Sequence, residues 1–113
     1  MAGGEPLRRG DLVSVALQGD LGKPRPALVI QSELFAAHPS VALLPITSEL
    51  IDAPLIRIPI PPSERSRLTR PFQVMVDRPQ SVSRMKLGPC FGRLEDSTLL
   101  TIDRALAVFL GLV

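Results

Sequence analysis

The sequence predicts a mainly β fold, a small twisted barrel with one C-terminal α-helix lying across an opening. Three observations predict it. Short apolar, β-leaning runs recur between turn signals through the first three quarters of the chain, each too brief for a helix. The pattern then changes period, with Leu99, Ile102, Leu106 and Phe109 spaced as one face of an amphipathic helix. Finally, 113 residues at 45% apolar content suffice for one core, so a single domain over residues 1–113 is expected.

In chain order, Arg8-Arg9-Gly10-Asp11 leads as a turn into a first strand at 12–17, which residues 18–22 break. After a basic turn at 22–26, residues 27–31 form a continuous apolar run that suits a strand buried on both faces. A loop with a short helical turn covers 33–40. Residues 41–46 make a third strand, with Pro45 near its end, where a missing ladder donor is tolerated. Residues 55–60 alternate as a strand that Pro59 confines to an edge, and residues 61–71 are a polar, Arg-rich loop. Two more strands are expected at 72–76 and 81–83, then a turn at 86–89. The helix takes Asp96 or Ser97 as N-cap and ends at Gly111, the residue type favoured just past a helix C-terminus.

Composition excludes several classes. Residues 1–6 lack the apolar stretch of a secretory signal, and no run is long enough to span a bilayer, so a soluble, cytoplasmic protein without membrane contact is expected. Cys90 is the single cysteine and His38 the single histidine, which rules out an internal disulfide, a zinc-type cluster and a two-histidine nuclease mechanism. A carboxylate magnesium site stays open, and no cofactor is expected. Cys90 between Pro89 and Phe91 suits a half-buried filler, and His38 before Pro39 a surface position. With no Trp or Tyr, a broad aromatic platform for single strands is absent, as is the aromatic groove of a proline-binding adaptor. Net charge is +2, yet residues 54–93 hold eight basic residues against Glu64 and Asp77, a net of +6, while the remainder carries −4. Such a basic middle suits either a polyanion footprint or a solvated face.

The most informative stretch is Gly22-Lys23-Pro24-Arg25-Pro26-Ala27-Leu28-Val29-Ile30. Two prolines fix φ on either side of Arg25 and stiffen its backbone, presenting a planar five-donor cation at the mouth of a strand. A guanidinium so placed suits a phosphate, although an arginine beside a strand is more often solvated or paired with a carboxylate.

Taken with Arg9-Gly10-Asp11-Leu12-Val13, Pro45-Ile46-Thr47-Ser48, the segment from Val76-Asp77 to Arg84, Arg104-Ala105-Leu106 and Leu110-Gly111-Leu112, that stretch resembles the PemK/MazF toxins over nearly the whole chain. The resemblance implies an SH3-like barrel, a homodimer, and a toxin of a type II toxin–antitoxin pair. It further implies a sequence-selective, metal-independent endoribonuclease that cuts single-stranded RNA, messenger RNA above all, and a cognate antitoxin that neutralises it. Carried over position by position, the catalytic arginine falls on Arg25 and the catalytic hydroxyl on Thr47. Candidate substrate contacts are Lys23, Ser48, Gln80, Arg84 and Lys86. Three departures bear on sequence preference: a shorter 18–22 loop, Ser14 where an aromatic residue is common, and Phe72 where a small polar residue is frequent.

Metal-free cleavage requires the 2′-hydroxyl to lose a proton, the 5′-oxygen to gain one, and donors to hold the phosphate as charge builds. An arginine keeps its proton at ordinary pH, so electrostatic stabilisation is the part expected of Arg25, with Thr47 orienting phosphate or 2′-hydroxyl. A threonine at a strand end also commonly bonds its own backbone. The competing function is a gyrase poison built on the same barrel, which binds DNA gyrase without cutting RNA. Those toxins rely on a tryptophan near the C-terminus, and this chain ends Leu110-Gly111-Leu112-Val113.

Overall fold

The computed structural model describes residues 7–16 and 23–113. The expected strand end at Leu17 and the 18–22 break lie outside the described residues. Strands β1 (Asp11–Ala16), β2 (Pro24–Val29), β3 (Ser40–Thr47), β4 (Arg57–Ile60), β5 (Phe72–Met75), β6 (Gln80–Ser83) and β7 (Leu87–Arg93) precede one helix, α1 (Asp96–Phe109). The sheet is antiparallel in the order β4-β5-β3-β2-β1-β7, and β6 pairs with β3 off that path. A 3-10 turn at Glu33–Phe35 supplies the helical turn expected between β2 and β3.

Strand alternation sorts the apolar residues onto two faces. Leu12, Leu28, Leu44 and Ile46 join Ile58, Ile60, Val74 and Val76 in the main core, which α1 covers with Ile102 fully buried and Leu99, Ala105 and Leu106 against it. Val13, Val15, Ala27, Val29 and Leu43 point the other way, into two smaller clusters closed by Leu7, Val82 and Leu87. The central strands are thus buried on both sides, which is why their sequences are apolar without a break.

The prolines sit where the sheet needs no donor. Gly10 N–H bonds Val29 O and Ile30 N–H bonds Ala42 O, so odd residues of β2 face β1 and even residues face β3. Pairing of β2 with β3 begins only at Ala27, so the N–H groups that Pro24 and Pro26 lack would have had no partner there. Arg25 is accordingly part of the strand, paired with Val15, and not part of a turn as the sequence suggested. Pro45 falls between the β3–β6 pairing, which covers 40–43, and the β3–β5 pairing, which covers 46–47.

Three further expectations are corrected. The segment at 86–89 is not a turn: a 3-10 turn at Arg84–Lys86 gives way to β7, which pairs along β1 in spite of Gly88 and Pro89. The helix N-cap is Glu95, whose side chain makes no capping bond. Cys90 stands on β7 as an exposed residue, more open than the filler expected, with its thiol only partly screened. The other helix end is as expected, with Gly111 at φ +74°, its N–H bonding Val108 O, and Leu112 N–H bonding Ala107 O, the paired bonds of a Schellman stop.

The two ends of the sheet meet through the 61–71 loop. Arg93 N–H on β7 donates to Arg65 O over 2.9 Å, and Gly92 lies directly against the Ser66 backbone. Ser63 and Ser66 exchange side-chain to backbone bonds of 3.0 and 3.2 Å that hold this loop in shape. The strand at 57–60 is an edge as expected, yet its Ile58 and Ile60 are buried, and of residues 55–60 only Leu55 and Pro59 are exposed.

Candidate active site

Register brings the two leading residues together. The last β2–β3 pair is Ala27 with Pro45. Two residues further along the same register, Arg25 stands opposite Thr47, just where the strands have parted. Both line two adjoining open cavities, of about 220 and 290 Å³, which also share Ile46 and Glu49. Pro26, Ser48, Arg70 and Phe72 complete the first, and Pro45, Met75, Arg78 and Gln80 the second.

The segment after Thr47 is fixed by its own hydrogen bonds. Glu49 N–H donates to Thr47 Oγ1 over 3.0 Å, the strand-end bonding anticipated for a threonine there. Gln73, paired with Thr47 across β3 and β5, bonds both backbone groups of Ile51, its Oε1 accepting over 3.1 Å and its Nε2 donating over 2.9 Å. On the far side, an ion pair of half-buried Asp77 with buried Arg57 anchors the turn that carries Arg78 and Gln80.

The site therefore unites Arg25, Thr47, Ser48 and Gln80, four of the residues picked out in sequence. Lys23, Arg84 and Lys86 do not line either cavity. Arg84 turns away, its Nε donating to His38 O over 3.0 Å and its N–H to Pro39 O. Lys23 is exposed just ahead of β2, and Lys86 ends the 3-10 turn before β7. The basic middle is also thinner than its +6 suggests. Arg57 is engaged by Asp77, Arg65 by Glu95 and Asp96, and Arg93 by Asp11 at 2.6 Å. Glu49, Arg70 and Arg78 were missed; the Glu49 carboxylate is the one acid among the described residues lining the cavities.

Among the described residues no group of three or more His, Cys, Asp or Glu side chains is placed to hold a metal ion, and no helix is long and apolar enough to cross a membrane. His38 is exposed, its Nδ1 accepts the Ser40 N–H at 3.1 Å, and it lines neither cavity.

The fold is that of the MazF toxins. A Mycobacterium tuberculosis toxin, MazF-mt6, superposes with a TM-score of 0.77 over 89% of this chain and 96% of its own, at 22% identity. A MazE–MazF structure from Deinococcus radiodurans superposes with a TM-score of 0.75 over 96% and 98% of the two chains, at 20% identity. In sequence, the chain is 42% identical over 107 residues to a probable endoribonuclease MazF of Mycolicibacterium smegmatis, covering 94% of this chain and 98% of that protein. The model of the PemK-like, MazF-like toxins of type II toxin–antitoxin systems matches residues 8–110, and the chain belongs to this family.

Proposed function

We propose that this single-domain chain is the toxin of a type II toxin–antitoxin pair, a sequence-selective endoribonuclease that cuts single-stranded RNA without a metal ion. The observation that carries the reading is the register that sets Arg25 opposite Thr47 at the open end of the β2–β3 pairing, on the wall shared by both cavities. The 42% identical relative, itself named a probable endoribonuclease MazF, favours this over the gyrase-binding alternative.

In the reaction, the 2′-oxygen attacks the adjacent phosphorus, the bond to the 5′-oxygen breaks, and the products are a 2′,3′-cyclic phosphate and a 5′-hydroxyl. Arg25 pairs its planar donors with the non-bridging oxygens as their charge grows. Thr47, whose oxygen already accepts the Glu49 N–H, has its hydroxyl hydrogen to donate to the same phosphate. Glu49 is the acceptor for the 2′-hydroxyl proton, since arginine cannot serve and Asp77 is engaged by Arg57. The departing 5′-oxygen takes a proton from solvent. Arg70 and Arg78, on either side of the site, attract the RNA backbone.

Two partners belong to the reading. One is a cognate antitoxin with an acidic, partly disordered segment that covers the cationic site; the Deinococcus radiodurans relative is seen as MazE–MazF. The other is a second copy of the chain, supported by apolar side chains left outside after folding, among them Phe35, Val108, Phe109 and Leu110. The test is incubation of the purified protein with a long RNA, with and without EDTA, followed by mapping of 5′ ends. Discrete cuts that persist in EDTA are expected; intact RNA, or cleavage that EDTA stops, overturns the reading.

A further inference from the structure

Phe72 opens β5 with its ring half-buried against the main core, and it lines the smaller cavity together with Arg25, Thr47 and Ser48. Arg70, two residues earlier, lines the same cavity and sets its guanidinium carbon 5.9 Å from the centre of that ring. The ion pairs among the described residues engage Arg9, Arg57, Arg65 and Arg93, and Arg70 is in none of them. Its planar cation is therefore positioned over an aromatic face and not by a carboxylate. The loop that carries it is fixed at its other end by the Ser63–Ser66 bonds and by Arg93 on Arg65, so the pair sits on an ordered support.

A flat cation set above a ring at cation–π distance, in a cavity next to phosphate-binding donors, has the features by which proteins hold an unstacked nucleobase: a plane to stack on and charge attraction beside it. We propose that Arg70 and Phe72 form a stacking shelf for one nucleobase immediately next to the scissile phosphate, and that this shelf helps set which nucleotide is accepted there. The proposal rests on the endoribonuclease reading and deepens it. Only a base that has left its stack reaches the shelf, so the shelf itself selects single-stranded RNA over duplex. Phe72 supports Arg70 from the core side, which leaves the guanidinium as the surface the base meets.

The test uses the unmodified protein first, on a short single-stranded RNA with one mapped cut, against two versions carrying an abasic nucleotide on either side of the cut phosphate. Removing the base that occupies the shelf is expected to lower kcat/KM by about 5- to 150-fold, and removing the other to matter less. Arg70→Ala is expected to erase this difference, cutting the intact RNA about as poorly as the abasic one. Arg70→Lys, which keeps the charge and loses the plane, is expected to behave like Arg70→Ala, whereas simple charge attraction would leave it close to the parent. Phe72→Leu keeps the core contact while removing the ring and is expected to lose part of the discrimination. Equal cleavage of intact and both abasic RNAs by the parent protein, or an undiminished abasic penalty in Arg70→Ala, overturns the shelf. A parent protein that cuts none of the RNAs overturns the endoribonuclease reading instead, a separate result.

Discussion

The backbone N–H of Glu49 donates to the hydroxyl oxygen of Thr47 over 3.0 Å, and so the last residue of β3 holds in place the acid that follows it. One lone pair of the hydroxyl is used in this bond, while its hydrogen is left for the phosphate. Thr47→Ser preserves both functions and is expected to retain most of the cleavage rate. Thr47→Ala removes the donor and loosens Glu49, for a loss on the order of 10- to 100-fold. Single-turnover rates on a mapped RNA distinguish the two; equal rates for Thr47→Ala and the parent reduce the bond to a structural cap.

Arg25 stands on an exposed stretch of β2, where Pro24 and Pro26 fix the backbone on each side. Its side chain belongs to none of the three apolar clusters, so Arg25→Ala is expected to fold and melt close to the parent. The cleavage rate is expected to fall roughly 100- to 1000-fold, the scale of losing one pre-positioned donor to a charge that develops in the transition state. Arg25→Lys is also expected to be poor, because a point charge cannot make a two-pronged contact. RNA cut by Arg25→Ala at the parental rate removes Arg25 from the mechanism.

Glu49 supplies the one carboxylate among the described residues lining the two cavities. Glu49→Gln keeps the shape and the backbone bond to Thr47 but cannot take a proton. A loss of about 100-fold or more in kcat, with KM little changed or lower, is expected for a missing general base. A variant in which KM alone changes would mark Glu49 as a substrate contact and not a base.

Much of this architecture is legible in sequence because it follows from local pattern. The apolar runs of β1 to β3 announce strands buried on both sides, and the spacing of Leu99, Ile102 and Leu106 announces the helix over the core. β7 is not legible, since Gly88, Pro89 and Gly92 carry turn signals and the strand exists only through its pairing with β1, as in Asp11 with Arg93 and Val13 with Cys90. The charge map overstates the basic middle for a related reason. Arg57 finds Asp77, and Arg93 finds Asp11, across twenty or more residues of chain, so a count along the sequence takes structural cations for a free basic surface. Arg25 stood out from its two flanking prolines and the family resemblance gave it a role, Thr47 was found through that resemblance alone, and Arg70 and Glu49 only through the fold that brings their segments to one cavity.

Cys90 provides a chemical check on β7. Partial burial pushes its thiol up from the ordinary value, and the Asp11 carboxylate adds to the rise, outweighing hydrogen bonding with the Gly92 and Leu12 backbone and the charge of Arg93, which act the other way. A raised thiol holds less thiolate at neutral pH, and thiolate is the nucleophile. Alkylation by iodoacetamide at pH 7 is therefore expected to run slower than for free cysteine, in spite of the exposed position, and to catch up as pH rises. Reaction as fast as free cysteine at pH 7 contradicts the environment described for β7.

Gly92 tests how the sheet is closed. A Cβ built there lies 2.1 Å from the Ser66 carbonyl oxygen and 2.7 Å from its carbon, both backbone atoms that no rotamer change can move aside. At Gly88 the corresponding clash, at 2.3 Å, is with the Ser14 hydroxyl, a side chain that can rotate. Gly92→Ala is thus expected to cost about 1–3 kcal/mol through forced backbone movement, and Gly88→Ala distinctly less. Thermal unfolding resolves the difference, since each kcal/mol moves the midpoint by roughly 4–8 °C in a domain near this size. The consequence reaches the site, because the segment that must retreat from Gly92 is the loop whose far end carries Arg70. Gly92→Ala is therefore expected to blunt the penalty for an abasic substrate even at temperatures where the protein is fully folded. A variant that melts with the parent and keeps the full penalty would show that the 61–71 loop is not fixed through β7.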